Sequence, residues 1–374
     1  MPTTDERLNK NYDLTLEVLS PLHIGAGSEK SWFKGMDFFT YRGEVYVIDR
    51  NKLYRQLYNM PGRGTNSALD NYTDLISKGD MKKIEDYILR DLRIDIEAIW
   101  DWKFDARDAA PTEIRPLIRN GYGEAYIPGS SIKGAIRSAL FAHLYRDLGI
   151  KNYTKDTQKE LLGDFENAIM RYIRPYDADL LDPSRTELSS VQLFNLYSRS
   201  SKWESEHKKG FSLMLENFCL EAQATFRLSI ADAFIDKIEQ RSPKNLPANI
   251  RKIIKKGDNP IDNLFRIINE HTKEHIQREL AFFKKYNQAS DTKGVIKLLE
   301  GFKKRAEEPA QNTCILRMGY GLGYHGITGD YRFEDHCYTI ENPDKENKSH
   351  RYKSRRLAGY DGEYDPMGFV KLSY

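Results

Sequence analysis

Hydrophobic and polar residues alternate along several stretches of the chain, which is the pattern of a strand with one buried face. Residues 12–19 place an apolar side chain at every second position, and we expect them to form the first strand. Residues 221–232 alternate in the same way and predict the first strand of a second sheet. Residues 37–41 and 44–49 are joined by an Arg-Gly pair and predict a hairpin.

Apolar residues that recur every three to four positions predict helices elsewhere. The longest of these patterns cover residues 82–100, 261–286 and 292–305, and each has one apolar stripe. Shorter helices are expected near residues 158–172 and 248–256. The strands and helices together predict a mixed fold with both sheets and helices.

A polar stretch between residues 198 and 210 is rich in serine and lysine and has little to bury. Stretches of this composition are typical of connections between domains. We therefore expect two domains, residues 1–205 and residues 206–374. A chain of 374 residues is long enough for two domains of common size.

The most informative run covers residues 126–144 and includes Pro-Gly-Ser-Ser-Ile-Lys-Gly-Ala-Ile-Arg. The Pro-Gly turn precedes a helix that Ser130 or Ser131 can cap, because a hydroxyl there accepts a bond from a free N–H group. Lys133 and Arg137 are four residues apart on one flank of this helix. A helix start with free N–H groups, two hydroxyls and two cations has the outline of a phosphate site.

An ordinary capped helix explains the same run, since caps and charges four residues apart are common. A nucleotide P-loop shares the spacing of Gly129 and Gly134. However, Ala135 stands where that motif requires lysine, and Lys133 comes too early to reach the phosphates. The residues alone therefore leave a phosphate site and a capped helix open.

Two more glycine-rich segments follow strands. Residues 20–27 read Ser-Pro-Leu-His-Ile-Gly-Ala-Gly, and Gly25 and Gly27 allow a close approach of the backbone that other residues resist. A strand predicted at residues 313–318 leads into Gly-Tyr-Gly-Leu-Gly-Tyr-His-Gly at residues 319–326. Either segment could be a simple turn, or a loop whose N–H groups approach a polyanion.

The last loop spells G-x-G-x-x-G, the fingerprint of dinucleotide-binding folds. That fold needs a following helix and a further strand–helix unit, for which fewer than about 50 residues remain. We therefore favour an anion-binding loop, in which Arg317 supplies charge and Tyr320 and Tyr324 can stack on bases. The basic residues 341–357 can add phosphate contacts or can lack fixed structure.

Composition narrows the classes of partner and site. The net charge of +3 is small, so any contact with nucleic acid must come from local patches. Three widely spaced cysteines suit a reducing compartment and exclude a CxxC zinc site. No run approaches the roughly 20 apolar residues that span a bilayer, and the first residues do not resemble a signal peptide. We expect a cytoplasmic protein without membrane contact.

His271 and His275 belong to an H-x-x-E-H motif, which occurs in zinc proteases. The two imidazoles would share one helix face and could chelate a metal ion. Nothing in the sequence indicates a third ligand, so we expect neither a metal nor another cofactor.

The three glycine-bearing segments occur in an order that resembles the RAMP superfamily, the RNA-binding proteins of CRISPR effector complexes. Residues 128–137 are similar to its Pro-Gly-Ser-Ser-Leu-Lys-Gly-x-Leu/Ile-Arg signature, and residues 21–27 are similar to its opening Pro-Leu-His-Ile-Gly-x-Gly. Residues 319–326 resemble its C-terminal glycine-rich loop, and the ending from Asp365 resembles one branch of the superfamily. The chain looks most like the subunit that caps the backbone filament of type III-A (Csm) complexes near the 3′ end of the guide RNA.

The resemblance implies an α+β fold of two ferredoxin-like (RRM-like) antiparallel-sheet domains with helical insertions. It also implies a non-catalytic protein whose partners are the crRNA, other Csm subunits, especially the RAMP backbone subunit, and recruited nucleases that trim the guide. Such a protein tracks the RNA backbone and accepts any guide sequence. The expected RNA-binding residues are His23, Gly25, Gly27, Ser130, Ser131, Lys133, Arg137, Arg317, Gly319, Tyr320, Gly321, Gly323, Tyr324 and His325.

A metal-independent endoribonuclease of the same superfamily is the alternative function. Such an enzyme needs a general base and a general acid beside a 2′-hydroxyl group, and histidine most often fills these roles. His23 and His325 lie in the two outer glycine-rich segments and are the natural candidates.

Overall fold

The computed structural model describes residues 9–27, 30–61, 67–105, 111–150, 154, 156–165, 167–196, 203–205, 212–286, 292–323, 326, 354–360 and 363–374. Its strands are β1 Lys10–Val18, β2 Trp32–Phe33, β3 Phe38–Tyr41, β4 Glu44–Ile48, β5 Trp100–Asp105, β6 Glu113–Arg115, β7 Tyr126–Ile127, β8 Ile173–Pro175, β9 Ala178–Leu180, β10 Thr186–Leu196, β11 Trp203–Ser205, β12 Ser212–Phe218, β13 Gln223–Ile230, β14 Thr313–Arg317, β15 Ser354–Tyr360, β16 Glu363–Pro366 and β17 Phe369–Ser373. Its α-helices are α1 Arg50–Tyr58, α2 Ala68–Ser77, α3 Met81–Asp86, α4 Gly129–Asp147, α5 Thr157–Leu162, α6 Asp232–Arg241, α7 Ile250–Ile253, α8 Pro260–Tyr286 and α9 Lys293–Glu307.

The first sheet has the strand order β14–β17–β1–β13–β9–β7, and β8 also pairs with β13. Its centre is β1, which runs antiparallel to β13 on one side and to β17 on the other. Leu14, Leu16 and Val18 are buried while their neighbours are not, as the alternation predicts. The first strand of the chain therefore lies between two strands that come much later in the sequence.

The second sheet has the order β16–β15–β10–β12–β6–β2, with β11 paired to β10. Among the described strands of this sheet, only β6 and β12 pair in parallel. A third, three-stranded sheet consists of β3, β4 and β5. The described residues thus form a mixed α/β structure dominated by antiparallel sheets.

The predicted domain boundary does not separate these sheets. Residues 221–232 were expected to open a second sheet, and this is wrong, because β13 pairs with β1 from Gln223 opposite Glu17 to Ile230 opposite Lys10. The strands β10 and β12 lie on either side of residues 205 and 206 and also pair with each other. An alternating pattern shows that one face is buried, but it does not identify the partner strand.

Helices α4 and α8 and the first sheet share the largest hydrophobic core. Ile132 and Leu140 of α4 and Phe265 of α8 are buried there with Leu16 and Leu228 of the sheet. The predicted helices 261–286 and 292–305 are confirmed as α8 and α9. Because α4 packs against both the first sheet and another long helix, its first turn has a fixed place in the fold.

The small sheet β3–β5 carries helices α1–α3 on one face. Tyr46, Leu53 and Ile88 share a core between this sheet and the helices. On the opposite face, Val47 packs with Leu188 of β10, which joins the inserted unit to the second sheet. The predicted hairpin at residues 37–49 is confirmed as β3 and β4.

Two predicted helices end earlier than expected. The pattern over residues 82–100 is interrupted by a π-helical turn at Tyr87–Asp91, and Arg93 then adopts a positive φ of 54°. The pattern over residues 158–172 stops at Leu162, because Gly163 has a φ of 83° that ends the helix. Apolar spacing continued past both sites, so it did not reveal the change in backbone direction.

Within the described residues, no helix combines the length and the apolar character that are needed to cross a membrane.

Candidate nucleic-acid interface

The three glycine-bearing segments meet around one cavity of about 700 Å³. They are the loop after β1, the start of α4 and the loop after β14. The cavity is lined by His23, Ile24, Gly25, Gly27, Arg115, Pro116, Ser130, Ser131, Gly134, Ala135, Leu193, Arg317, Met318, Gly319, Tyr320, Gly321, Leu322, Gly323, Gly326, Ser354 and Arg356. Segments that are far apart in the sequence therefore form one surface.

Helix α4 begins at Gly129 because only glycine fits against the turn between β8 and β9. A Cβ atom at Gly129 would lie 2.5 Å from the carbonyl oxygen of Pro175 and 2.7 Å from the carbonyl carbon of Tyr176. The N–H group of Gly129 donates to the Asp177 carboxylate at 2.7 Å. The turn between β8 and β9 thus contacts the start of α4 on the side away from the cavity, and the first turn of the helix borders the cavity.

The cap of α4 differs from the prediction. Pro128 occupies the N-cap position and makes no side-chain cap bond, so Ser130 and Ser131 do not cap the helix. Both serines lie in the first turn and line the cavity. Their hydroxyl groups and the positive end of the helix dipole are therefore available to an anion there.

Lys133 and Arg137 lie outside the set of described residues that line the cavity. Burial and the nearby Arg174 lower the pKa of Lys133. Arg137 donates to the side-chain oxygen of Gln158 at 2.8 Å. The structure therefore does not bring this pair into the cavity, and the two side chains instead lie near Arg174 and Gln158 of neighbouring segments.

Two arginines that the motif analysis did not select line the cavity instead. Arg115 ends β6 and Arg356 lies in β15, and the Nε atom of each is buried without a hydrogen-bond partner in the described structure. The Arg356 guanidinium lies 5.4 Å from the ring centre of Tyr320. Buried polar groups in native proteins are nearly always paired, so two such atoms at one cavity point to a missing anionic partner.

The signals for these two arginines differed. Arg356 belongs to the basic run at residues 341–357, which the sequence did mark as able to contact phosphates. Arg115 lies in an irregular polar segment and has no local feature that distinguishes it from other surface arginines. Only the pairing of β6 with β12 brings it to the cavity.

His23 is buried, and its Nδ1 lies 2.6 Å from the carbonyl oxygen of Glu216. A carbonyl can only accept, so Nδ1 carries the proton and Nε2 has a free lone pair. A Cβ atom at Gly25 would lie 2.6 Å from this Nε2 atom, which explains the glycine. Burial lowers the pKa of His23, and nearby Arg115 acts in the same direction.

The loop after β14 packs directly on the loop after β1. The N–H group of Tyr320 donates to the carbonyl oxygen of His23 at 2.8 Å. Gly319 has a φ of 85°, and a Cβ atom there would lie 2.7 Å from the same oxygen. Gly321 also has a positive φ of 83° and lies against Met367. These glycines are needed to bring the loops together.

Two members of the predicted set, Tyr324 and His325, lie outside the residues that the structure describes. The base-stacking role of Tyr324 and the pairing of His325 with His23 therefore stay predictions. Tyr320 does lie at the cavity, where its ring is edge-on to His23 with 5.7 Å between the ring centres.

Members of the H-x-x-E-H motif have other partners. Arg317 Nη1 lies 2.6 Å from His275 Nε2, and Glu274 forms an ion pair with Arg146. In the part of the chain that the structure describes, no three His, Cys, Asp or Glu side chains are grouped to hold a metal ion. The motif is better explained by packing of α8 against its neighbours.

Curated proteins similar to this chain are Csm5 proteins of CRISPR systems. The one from Methanocaldococcus jannaschii is 25% identical over 342 residues, which cover 83% of this chain and 71% of that protein. The one from Enterococcus italicus is 25% identical over 162 residues, which cover 36% of this chain and 43% of that protein. The one from Streptococcus thermophilus is 27% identical over 138 residues, covering 35% and 38% of the two chains.

Solved structures share the fold. A chain of a Csm–crRNA–target RNA ternary complex from a type III-A CRISPR–Cas system aligns with a TM-score of 0.68 and 19% identity, covering 96% of this chain and all of that one. The crystal structure of Csm5 from T. onnurineus aligns with a TM-score of 0.64 and 17% identity, covering 95% and 99% of the two chains.

The sequence profile of the RAMP superfamily matches residues 15–325. That range includes the loop after β1, the whole of α4 and residues 319–325 of the glycine-rich segment after β14, and these segments supply residues that line the cavity. With a match over most of its length, this chain belongs to the RAMP superfamily.

Proposed function

We propose that this chain is an RNA-binding subunit of a type III-A CRISPR effector complex, acting in antiviral defence in the cytoplasm. It caps the backbone filament, binds the 3′ region of the crRNA and supports maturation of the 3′ end without cleaving RNA itself. Its partners are the crRNA, other Csm subunits, above all the RAMP backbone subunit, and recruited nucleases. The similarity to Csm5 proteins and to a chain of a Csm–crRNA–target RNA complex supports this assignment.

The observation that carries the proposal is the pair of arginines at the cavity whose Nε atoms are buried without a hydrogen-bond partner among the described residues. Arg115 and Arg356 face a space that also receives the start of α4 and the hydroxyls of Ser130 and Ser131. Cations, hydroxyls and a helix N-terminus all favour phosphate oxygens. None of these groups is arranged to read a particular base, so the cavity fits a ribose-phosphate strand of any sequence.

We also propose that the first sheet is one ferredoxin-like unit. Its four strands β17, β1, β13 and β9 are neighbours in that order and are all antiparallel. The chain connects them as strand, helix, strand, strand, helix, strand, with α4 and α8 as the two helices. The second ferredoxin-like unit of the family would then be built on the second sheet.

The direct test is binding of labelled single-stranded guide RNA to the full chain and to an Arg115→Ala/Arg356→Ala variant. Two guides of unrelated sequence should bind the unmodified chain equally. The variant should bind both at least about tenfold more weakly, and the slope of log affinity against log salt should fall by about 1.4, or 0.7 per lost phosphate contact.

A matched control is Arg241→Ala, which removes a cation at the last turn of α6, away from the residues that line the cavity. It should leave both the affinity and the salt slope unchanged. If the Arg115→Ala/Arg356→Ala variant and the unmodified chain bind RNA equally at moderate salt, the cavity is not the RNA-binding site.

One observation keeps the endoribonuclease alternative worth testing: the Nε2 atom of His23 has a free lone pair and belongs to a residue that lines the cavity. We expect no cleavage of guide RNA by the purified chain. Cleavage that survives purification and disappears in His23→Ala and in His325→Ala would replace the non-catalytic assignment with the enzymatic one.

A further inference from the structure

Helix α8 presents a row of buried polar side chains to the strands that border the cavity. Their spacing of three or four residues places them along one face of the helix. They are Asn269, Thr272, His275 and Glu279. Burial of four polar side chains on one helix face is costly unless each is hydrogen-bonded. The bonding partners of these side chains therefore indicate their structural role.

The first two residues bond to the backbone of β14. Asn269 accepts from the N–H group of Ile315 at 2.9 Å and donates to the carbonyl oxygen of Thr313 at 3.2 Å. The hydroxyl of Thr272 donates to the carbonyl oxygen of Ile315 at 2.6 Å. These bonds fix α8 against the strand without involving a charged group.

The last two residues contact arginines. His275 Nε2 lies 2.6 Å from Arg317 Nη1 and can only accept from it, because the guanidinium has no acceptor. Glu279 accepts from Arg355 Nε at 2.6 Å and Arg355 Nη2 at 2.8 Å, a two-pronged ion pair. Arg317 ends β14 and Arg355 is the second residue of β15, so one helix face holds both ends of the segment between these strands.

The charges around this row are unequal. Among the described residues, Glu279 is the carboxylate that faces the two guanidiniums, and it is bonded to Arg355 rather than to Arg317. The nearby arginines hold the pKa of Glu279 down to about 2, so the group is charged at neutral pH. Arg317 instead donates to the carbonyl oxygen of Met367 at 3.1 Å and packs on the ring of Phe369. A positive charge thus remains at the cavity wall.

Neighbouring residues of a strand point to opposite faces of a sheet. Arg355 points toward α8, where it pairs with Glu279, and Arg356 points to the cavity beside Tyr320. The Glu279–Arg355 pair therefore fixes the direction in which Arg356 leaves the backbone. His275 acts more directly, because its Nε2 atom contacts the guanidinium of Arg317 itself.

We propose that His275 and Glu279 are positioning residues that hold Arg317 and, through Arg355, Arg356 at the cavity for contact with RNA phosphates. This inference rests on the proposed RNA-binding function and adds a fixed support to it. The supporting residues touch no RNA themselves. Their contribution is to keep two cations at the cavity wall before the RNA arrives, which removes the cost of ordering them on binding.

The test uses the full chain and labelled guide RNA, with stability and RNA affinity measured separately for every variant. Loss of Glu279 alone would leave Arg355 buried and unpaired, so the pair is replaced together as Glu279→Met/Arg355→Met. His275→Leu removes the acceptor for Arg317. We expect each variant to bind RNA about fivefold more weakly and to lower the salt slope by about 0.7, as for one lost phosphate contact.

Thr272→Val is the matched control, because it removes a buried bond from the same helix face to the backbone of β14. It should lower stability and leave RNA affinity and salt slope unchanged. The conservative variant His275→Gln keeps an acceptor near Arg317 and should restore most of the affinity lost in His275→Leu. If His275→Leu fails to fold, the Glu279→Met/Arg355→Met variant still decides the matter.

The outcomes separate this inference from the proposed function. If Arg115→Ala/Arg356→Ala weakens RNA binding but the His275 and Glu279/Arg355 variants behave like Thr272→Val, the positioning role is wrong and the RNA-binding function stands. If the unmodified chain does not bind guide RNA, the proposed function itself fails. A loss of affinity in the positioning variants that His275→Gln repairs would support both.

Discussion

Two pairs of polar residues in the signature run of helix α4, here called its inner flank and its outer flank, lie in different surroundings. The inner flank, Ser130 and Ser131, lines the cavity. The outer flank, Lys133 and Arg137, lies outside the cavity, and Arg137 is bonded to Gln158. The most conspicuous cations of the run are therefore not the ones that line the cavity.

The proposed phosphate site would therefore be assembled from separate parts of the chain. The signature run supplies a helix start and hydroxyls, whereas the cations come from Arg115 on β6 and Arg356 on β15. A cation on the helix itself would be fixed by sequence spacing alone. Cations on two strands depend on the correct pairing of the sheet, which couples the site to the fold.

Charge reversal on the two sets of cations tests this comparison with the largest expected effect. Arg115→Glu/Arg356→Glu should lower the affinity for guide RNA about 100-fold or more, since two attractive contacts with phosphate become repulsive. Lys133→Glu/Arg137→Glu should weaken binding of all guides alike, by less than about tenfold, because it makes the electrostatic potential of the protein surface less positive. Filter binding with both variants at matched salt measures the ratio.

An equal or larger loss in the Lys133→Glu/Arg137→Glu variant would reverse the comparison. It would mean that the RNA runs along the outer flank of α4 and that the cavity is secondary. Both variants change the net charge by the same amount, so that outcome could not be attributed to a difference in total charge.

A second prediction concerns how α4 is seated. Gly129→Ala places a Cβ atom against the backbone of Pro175 and Tyr176, and should lower the free energy of unfolding by about 2 kcal/mol, as overpacking does. It should also weaken RNA binding, because the inner flank shifts with the helix start. Gly301→Ala, in α9, meets nothing within 4 Å and should raise stability by up to about 1 kcal/mol.

Urea unfolding of both glycine variants, with RNA binding measured in parallel, gives the comparison. A Gly129→Ala protein as stable as the unmodified chain would show that the helix start can move away from the turn behind it. The inner flank would then not be held in a fixed position by its surroundings.

Individual strands and helices were predictable because each depends on the pattern of apolar and polar residues within its own short segment. The first strand, α4, α8 and β14 all follow from apolar spacing, and the structure confirms each of them. The partners of these elements were not predictable in the same way. Nothing in residues 12–19 indicates that they pair with residues near 226 and 371, because strand pairing depends on the whole chain.

The candidate site was predictable to a similar degree. The three glycine-bearing segments were identified from the sequence, and the structure brings their described residues to one cavity. The assignment of the cations followed helix spacing and selected Lys133 and Arg137. Arg115 could not be found, since only the parallel pairing of β6 with β12 gives it a place at the cavity.

A third prediction uses pH to probe the support beneath the inner flank. His271 of α8, with Ala135 and Ser138 of α4, lines a small space below the cavity. Burial, together with the nearby arginines, lowers the pKa of His271 to about 3. In the unfolded chain a histidine has a pKa of about 6.5, so between these values only the unfolded state takes up the proton.

This difference in pKa sets the direction in which folding stability changes with pH. The stability from neutral His271 is complete above about pH 6.5 and falls as the pH decreases toward the folded value, by at most about 1.4 kcal/mol per pH unit. His23 and His143 also have lowered pKa values and add to the decline. Glu279 contributes only below its ordinary range, near pH 4.5, because its folded pKa is about 2.

Urea unfolding at pH 7, 6 and 5, compared between the unmodified chain and His271→Gln, isolates the part due to His271. The variant should lose less stability over this range. Identical pH dependence in the two proteins would show that His271 is accessible to protons in the folded state, and that α4 and α8 are less tightly packed below the cavity than the structure indicates.

The smallest expected effect comes from the hydroxyls of the inner flank. Ser130→Ala/Ser131→Ala removes two neutral donors from the cavity but keeps the helix start and both arginines, so guide RNA should bind only about two- to fivefold more weakly. The salt slope should not change, because no charge is lost. Ser138→Ala is the matched control, since its hydroxyl donates to the Gly134 carbonyl oxygen at 3.1 Å within the helix. A change of slope in the double variant would mean that the substitutions had moved an arginine, and that the hydroxyls act on the cations rather than on the RNA.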